Sequence, residues 1–269
     1  MKLGRLVLGA LAVAGLPFGT DVTQYVYQTR KVFFPIRFVV LSDLHGQLYN
    51  DNMQELINLV KAENPDVILL PGDLFDEYSK DDNAFKLLDG LKKYPRIYVT
   101  GNHEERREDI RELINHLKEM GVTVLSKDSV VLRVYNTDIE IGGIPCRKEE
   151  TDYTVEEVNQ IFKTNHCRIL LSHRPHWTSL YSKIDCDWII SGHAHGGQWC
   201  IPFTNIGLGA PQQGILPKYT SGVHALNHNH LLISRGLVRH YHHILPRLYN
   251  NPEIVVLTLK PKMNRIPVV

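Results

Sequence analysis

The sequence predicts an α/β fold built on parallel strands, and three observations carry that prediction. Short apolar, β-branched runs alternate with stretches of helical period. Three of these runs, residues 38–41, 67–70 and 97–99, lead directly into polar tripeptides: Asp43-Leu44-His45, Pro71-Gly72-Asp73 and Gly101-Asn102-His103. Asp73 follows Asp43 by 30 residues and Asn102 follows Asp73 by 29, about one strand–helix–strand step each. In open parallel sheets the chemistry sits beyond the carboxyl ends of the strands, which is where these groups fall.

In chain order, residues 21–37 read as an extended lead-in, with Pro35 set against any helix. The strand at 38–41 is followed by a helix over 53–63, where Leu56, Leu59 and Val60 recur at helical spacing and Asn64-Pro65 stops it. The strand at 67–70 leads to a helix over 84–93. The strand at 97–99 leads to a helix over 110–120 with Gly121 as its cap. Residues 130–135 and 139–144 then alternate like a half-buried hairpin around Asn136-Thr137-Asp138. Thr154 and Glu157 carry the capping signature of a helix over 154–162. Residues 169–171 run into Ser172-His173, and residues 188–190 into Ser191-Gly192-His193-Ala194-His195, repeating the device of an apolar strand that delivers polar groups. Residues 196–229 are rich in Gly and Pro with little period, and strands at 231–234 and 254–259 follow.

Composition bounds the rest. At 43% hydrophobic and 22% charged the chain reads as globular, and a net charge of +1 gives no reason to expect a nucleic-acid partner. The four cysteines form no CxxC pair, which speaks against a zinc ribbon and for small buried hydrophobes; a disulfide stays open if the body is exported. Residues 1–20 form a hydrophobic segment: Lys2 and Arg5 precede a mostly apolar run over 6–18, too short to span a bilayer but suited to a signal, anchor or interfacial segment. The expected division is this segment, the lead-in at 21–37 and one domain over 38–269.

The strand-end groups Asp43, His45, Asp73, Asn102, His173, His193 and His195 form a set of oxygen and nitrogen donors without a thiolate. Such a set suits Mn²⁺, Fe, Zn²⁺ or Mg²⁺. Seven ligands are too many for one ion and about right for two that share a carboxylate, and Asp73 is the natural bridge. Gly72 and Gly101 each precede a proposed ligand, where close backbone approach is needed.

Taken together, Asp43-x-His45, Gly72-Asp73, Gly101-Asn102-His103-Glu104, Ser172-His173 and Gly192-His193-x-His195 resemble, in order, the motifs of the calcineurin-like metallophosphoesterases, over roughly residues 38–259. The run Gly192 to Gln198 and the closing Ser234-Arg235-Gly236-Leu237, Pro246-Arg247 and Pro252-Glu253-Ile254 are similar to a bacterial membrane-associated subgroup that includes pyrophosphatases and phosphodiesterases of the UDP-diacylglucosamine type. The resemblance implies a two-sheet β-sandwich flanked by helices in four α/β/β/α layers. It assigns Asp43, His45, Asp73 and His195 to one divalent ion and Asp73, Asn102, His173 and His193 to the other, with Mn²⁺ foremost and a hydroxide held between them as nucleophile. It makes His103 the general acid, helped by Asn102. The neighbour of that histidine, usually Asp in the family, is Glu104 here and is expected to orient or charge the imidazole.

The implied substrate is a phosphodiester or pyrophosphate, lipid- or nucleotide-linked, at the bacterial cell membrane. A phosphomonoesterase or protein phosphatase is the alternative, although the Gly-Asp-x-x-Asp-Arg-Gly pattern is absent because Glu77 and Tyr78 follow Asp76. A metal-binding scaffold without catalysis is a third reading, weakened because every ligand position is filled. Three other features call for a reading. From Lys218 on, basic side chains outnumber the single acid Glu253, and Arg235 and Arg247 are candidates to face a phosphate. His224, His228, His230, His240, His242 and His243 form a second cluster, read as surface or substrate-facing because its spacing is irregular. Trp199, Ile201, Phe203, Ile206, Leu208, Ile215 and Leu216 are either core or a surface for an acyl chain or a bilayer.

Overall fold

Every apolar run read as a strand lies in one of two six-stranded sheets. The structure, a computed structural model, describes residues 15–241 and 245–262. In chain order the strands are β1 (Asp21–Thr29), β2 (Ile36–Val40), β3 (Val67–Leu70), β4 (Arg96–Tyr98), β5 (Thr123–Val124), β6 (Asp128–Val134), β7 (Thr137–Gly143), β8 (Cys167–Leu171), β9 (Trp188–Ser191), β10 (Gly209–Ala210), β11 (Gly214–Ile215), β12 (Gly222–Ala225), β13 (His230–Ile233), β14 (His240–Tyr241), β15 (Leu245–Pro246) and β16 (Glu253–Pro261). The helices are α1 (Gln54–Ala62), α2 (Asp82–Gly90), α3 (Ile110–Glu119), α4 (Val155–Asn159) and α5 (Thr178–Tyr181).

The first sheet runs β1-β16-β2-β3-β4-β5, and β2 to β5 are parallel. The second runs β12-β13-β9-β8-β7-β6, with β13, β9, β8 and β7 parallel. Strand alternation divides each apolar run between two layers. Phe38 and Val40 of β2 pack with Ile169, Leu171 and Ile190 of the facing sheet. Val39 and Leu41 point the other way, onto Leu56 and Val60 of α1 and Leu87 of α2. The outer face of the second sheet, through Leu170, Ile189 and Leu231, packs on Val158, Trp177 and Tyr181. The layers are therefore α/β/β/α.

Two local readings change. Part of the lead-in is a strand: β1 pairs in parallel along the whole of β16, from Asp21 opposite Glu253 to Thr29 opposite Pro261. As an edge strand it buries no continuous apolar run, so the usual periodic signal is weak. The β6–β7 hairpin turns at Tyr135-Asn136, with Tyr135 left-handed and Val134 paired to Thr137, rather than around Asn136-Thr137-Asp138. All four cysteines are buried free thiols, as their spacing suggested.

Candidate metal centre

The strands stop just short of the candidate ligands. A strand's pleat would bring residues two apart to one side, but here β2 ends at Val40 and left-handed backbone does that work instead. Asp43, His45, Asp73, His193 and His195 all have φ between 48° and 68°. Non-glycine residues avoid this region, and each such residue costs on the order of 1–3 kcal/mol unless its surroundings impose it. The loops impose it on one another. Asp43 N–H donates to Gly72 O and His45 N–H to Asp73 O. His193 N–H donates to Asp43 Oδ1 at 2.9 Å, and His103 N–H to Asp73 Oδ1 at 3.0 Å. Gly101 has no alternative: a Cβ there would lie 2.1 Å from Asp73 Oδ1.

Among the described residues three groups of buried donors result, one of them His45, Asp76 and His103 and the other two made of the expected ligands. Asp43, His45 and His195 offer ligand atoms within 4.8 Å of one another, as do Asp73, His173 and His193, and all six residues are buried. Outer hydrogen bonds aim the imidazoles, the arrangement expected around metal ligands. His45 Nδ1 meets Asp76 Oδ2 at 3.1 Å, His173 Nδ1 meets Pro71 O at 2.8 Å, and His193 Nε2 meets Gln212 Oε1 at 2.6 Å. These contacts leave His45 Nε2, His173 Nε2 and His193 Nδ1 turned inward.

What they turn toward is short of donors. Asp43 Oδ2, His45 Nε2 and Asn102 Oδ1 are buried and make no hydrogen bond. With His173 Nδ1 committed to Pro71, its Nε2 lone pair would face Asp73 Oδ2 at only 3.0 Å. Two acceptors so placed need a positive charge between them. In protein alone a proton supplies it: burial opposes the imidazolium of His173, but Asp73 and Asp43 outweigh burial and raise its pKa to about 9. Burial pushes Asp43 up, whereas Asp73 falls well below the carboxylate range because His173, His45 and His103 overcome the same burial. Burial, aided by neighbouring positive charge, holds His193 and His195 neutral, the form that can ligate. Donor type, burial and orphaned atoms all fit divalent cations.

The model of the calcineurin-like phosphoesterase family matches residues 36–197. The chain belongs to that family. Among curated relatives, a metallophosphoesterase of Campylobacter jejuni is 30% identical over 84% of this chain and 60% of its own length. A zebrafish (Danio rerio) transmembrane protein with a metallophosphoesterase domain is 27% identical over 96% of this chain and 62% of its own. The chain thus spans about 60% of the length of these two. Phosphodiesterase YaeI of Escherichia coli is 28% identical over 84% of this chain and 82% of its own. The crystal structure of TT1561 from Thermus thermophilus shares the fold, with a TM-score of 0.50 and 13% identity over 74% of this chain and 88% of that one.

Around this phosphoesterase centre the structure corrects three residue roles. Glu104 spends its carboxylate on the main chain. Its fully buried carboxylate accepts from the backbone N–H groups of Asp73 (2.9 Å), Phe75 (2.9 Å) and Gly101 (2.8 Å), tying two ligand-bearing loops together. Burial, then the nearby Asp73 charge, raises its pKa to about 7. The partners of His103 are instead Glu77 (Nδ1 to Oε2, 2.6 Å) and Asp76 (3.5 Å). Burial opposes the charged ring, but Asp76, Asp73 and Glu77 prevail and raise the pKa to about 9. Sequence reasoning missed Asp76 and Glu77, although they follow Asp73 within the same strand-end loop.

Arg235 and Arg247 are both committed to partners within the fold. Arg235 pairs with Asp21 at 2.9 Å and Glu253 at 3.1 Å. Arg247 is fully buried and donates to the carbonyls of Val238 (2.5 Å), Arg235 (2.6 Å), His195 (3.3 Å) and Gly236 (3.3 Å). Their sequence neighbourhood is basic, but their charge is used inside the fold. The second histidine cluster disperses: His224 bonds to Ser221 O, His228 to Ile184 O, and His230 stacks on Trp188. His242 and His243 lie outside the described residues.

Proposed function

We propose that this chain is a dinuclear metal-dependent hydrolase of phosphodiester or pyrophosphate bonds. The observation that carries the reading is the gathering of buried donors into two groups, Asp43, His45 and His195 in one and Asp73, His173 and His193 in the other. Asp43, His45 and His195 would hold one ion and Asn102, His173 and His193 the other, with Asp73 shared. Mn²⁺ is the first candidate, ahead of Fe, Zn²⁺ and Mg²⁺. When bound, two such cations supply acidification of water and neutralisation of charge on phosphoryl oxygens.

The residues of the chain do the rest. His103, held through Nδ1 by Glu77 and with Asp76, Asp73 and Glu77 favouring its charged form, would give its Nε2 proton to a departing alkoxide. Glu104 keeps the Asp73 and Asn102 loops at fixed separation through its three backbone bonds. The E. coli relative's description as a phosphodiesterase favours diesters over monoesters. We extend the reading to a lipid- or nucleotide-linked ester at the bacterial cell membrane. Its support is the apolar run over 6–18 and the zebrafish relative's description as a transmembrane protein. No helix among the described residues is long and apolar enough to cross a membrane.

The test is a metal-reconstituted assay with Mn²⁺, Fe²⁺, Zn²⁺ or Mg²⁺ on p-nitrophenyl phosphate, bis(p-nitrophenyl) phosphate, nucleotide-sugar lipids and phospholipids. Diester or pyrophosphate cleavage abolished by chelation is expected, and His103→Gln should cut turnover while metal content stays near wild type. Preference for the monoester would favour the phosphatase reading, and no turnover on any ester would end both.

A further inference from the structure

We propose that the loop over 196–229, together with the chain entry at Leu16–Phe18, forms a docking surface for a lipid bilayer beside the metal centre. This deepens the membrane part of the reading above, on which it rests for the identity of the substrate.

Four observations support it. First, several apolar side chains of this loop stand outside the core: Phe203 is 100% exposed, Ile215 86% and Leu216 58%, and Phe18 adds a further 85%. Phe203 and Leu216 hold left-handed backbone, unfavourable for bulky residues, so their outward display is imposed by an ordered loop rather than left over from a loose one. Second, the loop is tied together along its backbone. Leu208 N–H donates to Trp199 O and Leu216 N–H to Leu208 O, setting three strands of the loop side by side. Phe203 shares a cleft with Leu16, Phe18 and Tyr249. An apolar patch of this kind marks an interaction site.

Third, charge selects the occupant. Residues 196–229 contain no Asp or Glu and a single Lys, Lys218. A loop without acids that carries Trp and Phe suits the headgroup–acyl boundary, and the one acid lining the shared cleft, Asp21, is paired with Arg235 at 2.9 Å. Fourth, the geometry places a bilayer usefully. Gly15, Leu16 and Phe18, the described end of the apolar run, line the cleft at Phe203, and Tyr249 N–H donates to Gly15 O at 2.6 Å. Gln212, in the β10–β11 turn of the same loop, contacts His193 at 2.6 Å, so a membrane touching the patch lies next to the candidate ligands.

The chain carries its own reporter. Trp177 and Trp188 are buried, and Trp199 sits on the patch at 40% exposure. The full-length chain, loaded with Mn²⁺, is mixed with phosphatidylcholine vesicles with and without phosphatidylglycerol, and both co-sedimentation and tryptophan emission are read. Binding with a blue shift and reduced acrylamide quenching of Trp199, nearly independent of salt, is expected. The triple substitution Phe203→Glu, Ile215→Glu, Leu216→Glu should weaken partitioning at least about tenfold, because each buried apolar side chain is replaced by a charge. Its melting temperature checks that it folds; should it not fold, quenching of Trp199 in the unaltered chain decides alone. Vesicle binding without any change at Trp199 would mean the N-terminal segment tethers the chain by itself, and would overturn the proposal. So would no binding, or a folded triple variant that binds like the parent. Hydrolysis of bis(p-nitrophenyl) phosphate by the same preparation reads the enzymatic assignment separately, so the two can fail independently.

Discussion

Replacing Glu104 by Gln separates two roles that differ by several kcal/mol. If the side chain served His103, the change would alter a pH profile and leave stability nearly intact. The structure instead gives its carboxylate three buried backbone donors, two on Oε2 and one on Oε1. A glutamine can keep the pair or the single bond on its one oxygen, and turns an NH₂ toward the donors that remain. A hydrogen bond to a charged group is worth about 1.5–3 kcal/mol, and a stranded buried donor costs about 1–3 kcal/mol more. The carboxylate is already penalised by burial, as its raised pKa records, so we discount the total to about 2–4 kcal/mol. For a domain of this size that is a melting temperature lower by about 5–15 °C. The assay is thermal unfolding with saturating Mn²⁺, paired with elemental analysis, and metal content should fall because the loops bearing Asp73 and Asn102 lose their tie. A variant that melts with the parent, holds its metal and differs only in the pH dependence of turnover would refute this account.

Other consequences are as direct. Glu77→Gln removes a negative charge 2.6 Å from His103, lowering the pKa of that acid, so the alkaline limb of the pH–rate profile should move down by about one unit; an unmoved limb would exclude Glu77 as its partner. Arg247→Met takes a donor from four backbone carbonyls, of which His195 O keeps Asn250 Nδ2 and Gly236 O keeps Glu253 N–H, and a loss of about 2–4 kcal/mol in denaturant unfolding is expected, where a mere rise in KM would restore a substrate-facing role. Glu140 accepts from Lys163 N, Thr164 N, Thr164 Oγ1 and Ser129 Oγ, and these bonds hold its pKa down against burial. Its contribution is therefore present above the ordinary glutamate pKa and lost as pH falls through the depressed value. Glu140→Ala should be less stable by about 3 kcal/mol at neutral pH and show a shallower acid transition, measured by denaturant titration across pH. Chelation should lower the melting temperature by about 5–10 °C, restored by Mn²⁺, as expected for ions held at 100 times their Kd; melting indifferent to both would contradict a cation site.

What could be read from sequence was whatever depended on short-range pattern. The strands at 67–70 and 188–190 are buried runs between turn residues, and such runs declare themselves. The ligand motifs were legible because each follows such a run. Less legible was how the ligands converge: the work is done by left-handed residues whose conformation depends on hydrogen bonds from loops about 30 to 150 positions away. The same non-locality hid Glu77, which meets His103 across 26 residues, and made the adjacent Glu104 look like the partner. Arg247 was misread because a count of charges along the chain carries no information about burial. The apolar residues of 199–216 were ambiguous for the complementary reason, since composition cannot say whether a loop folds inward.

The left-handed backbone at five of the candidate ligands also limits how this centre can decay. At Asp43, Asp73 or His193 a β-branched replacement would clash with its own main chain whatever its chemistry. Descendants that lost the activity would therefore drift first to asparagine or glycine at these places, keeping the outline of the loops after the donors had gone. A silenced copy of this domain would be recognised by small polar residues where the carboxylates and imidazoles stand, not by valine or isoleucine.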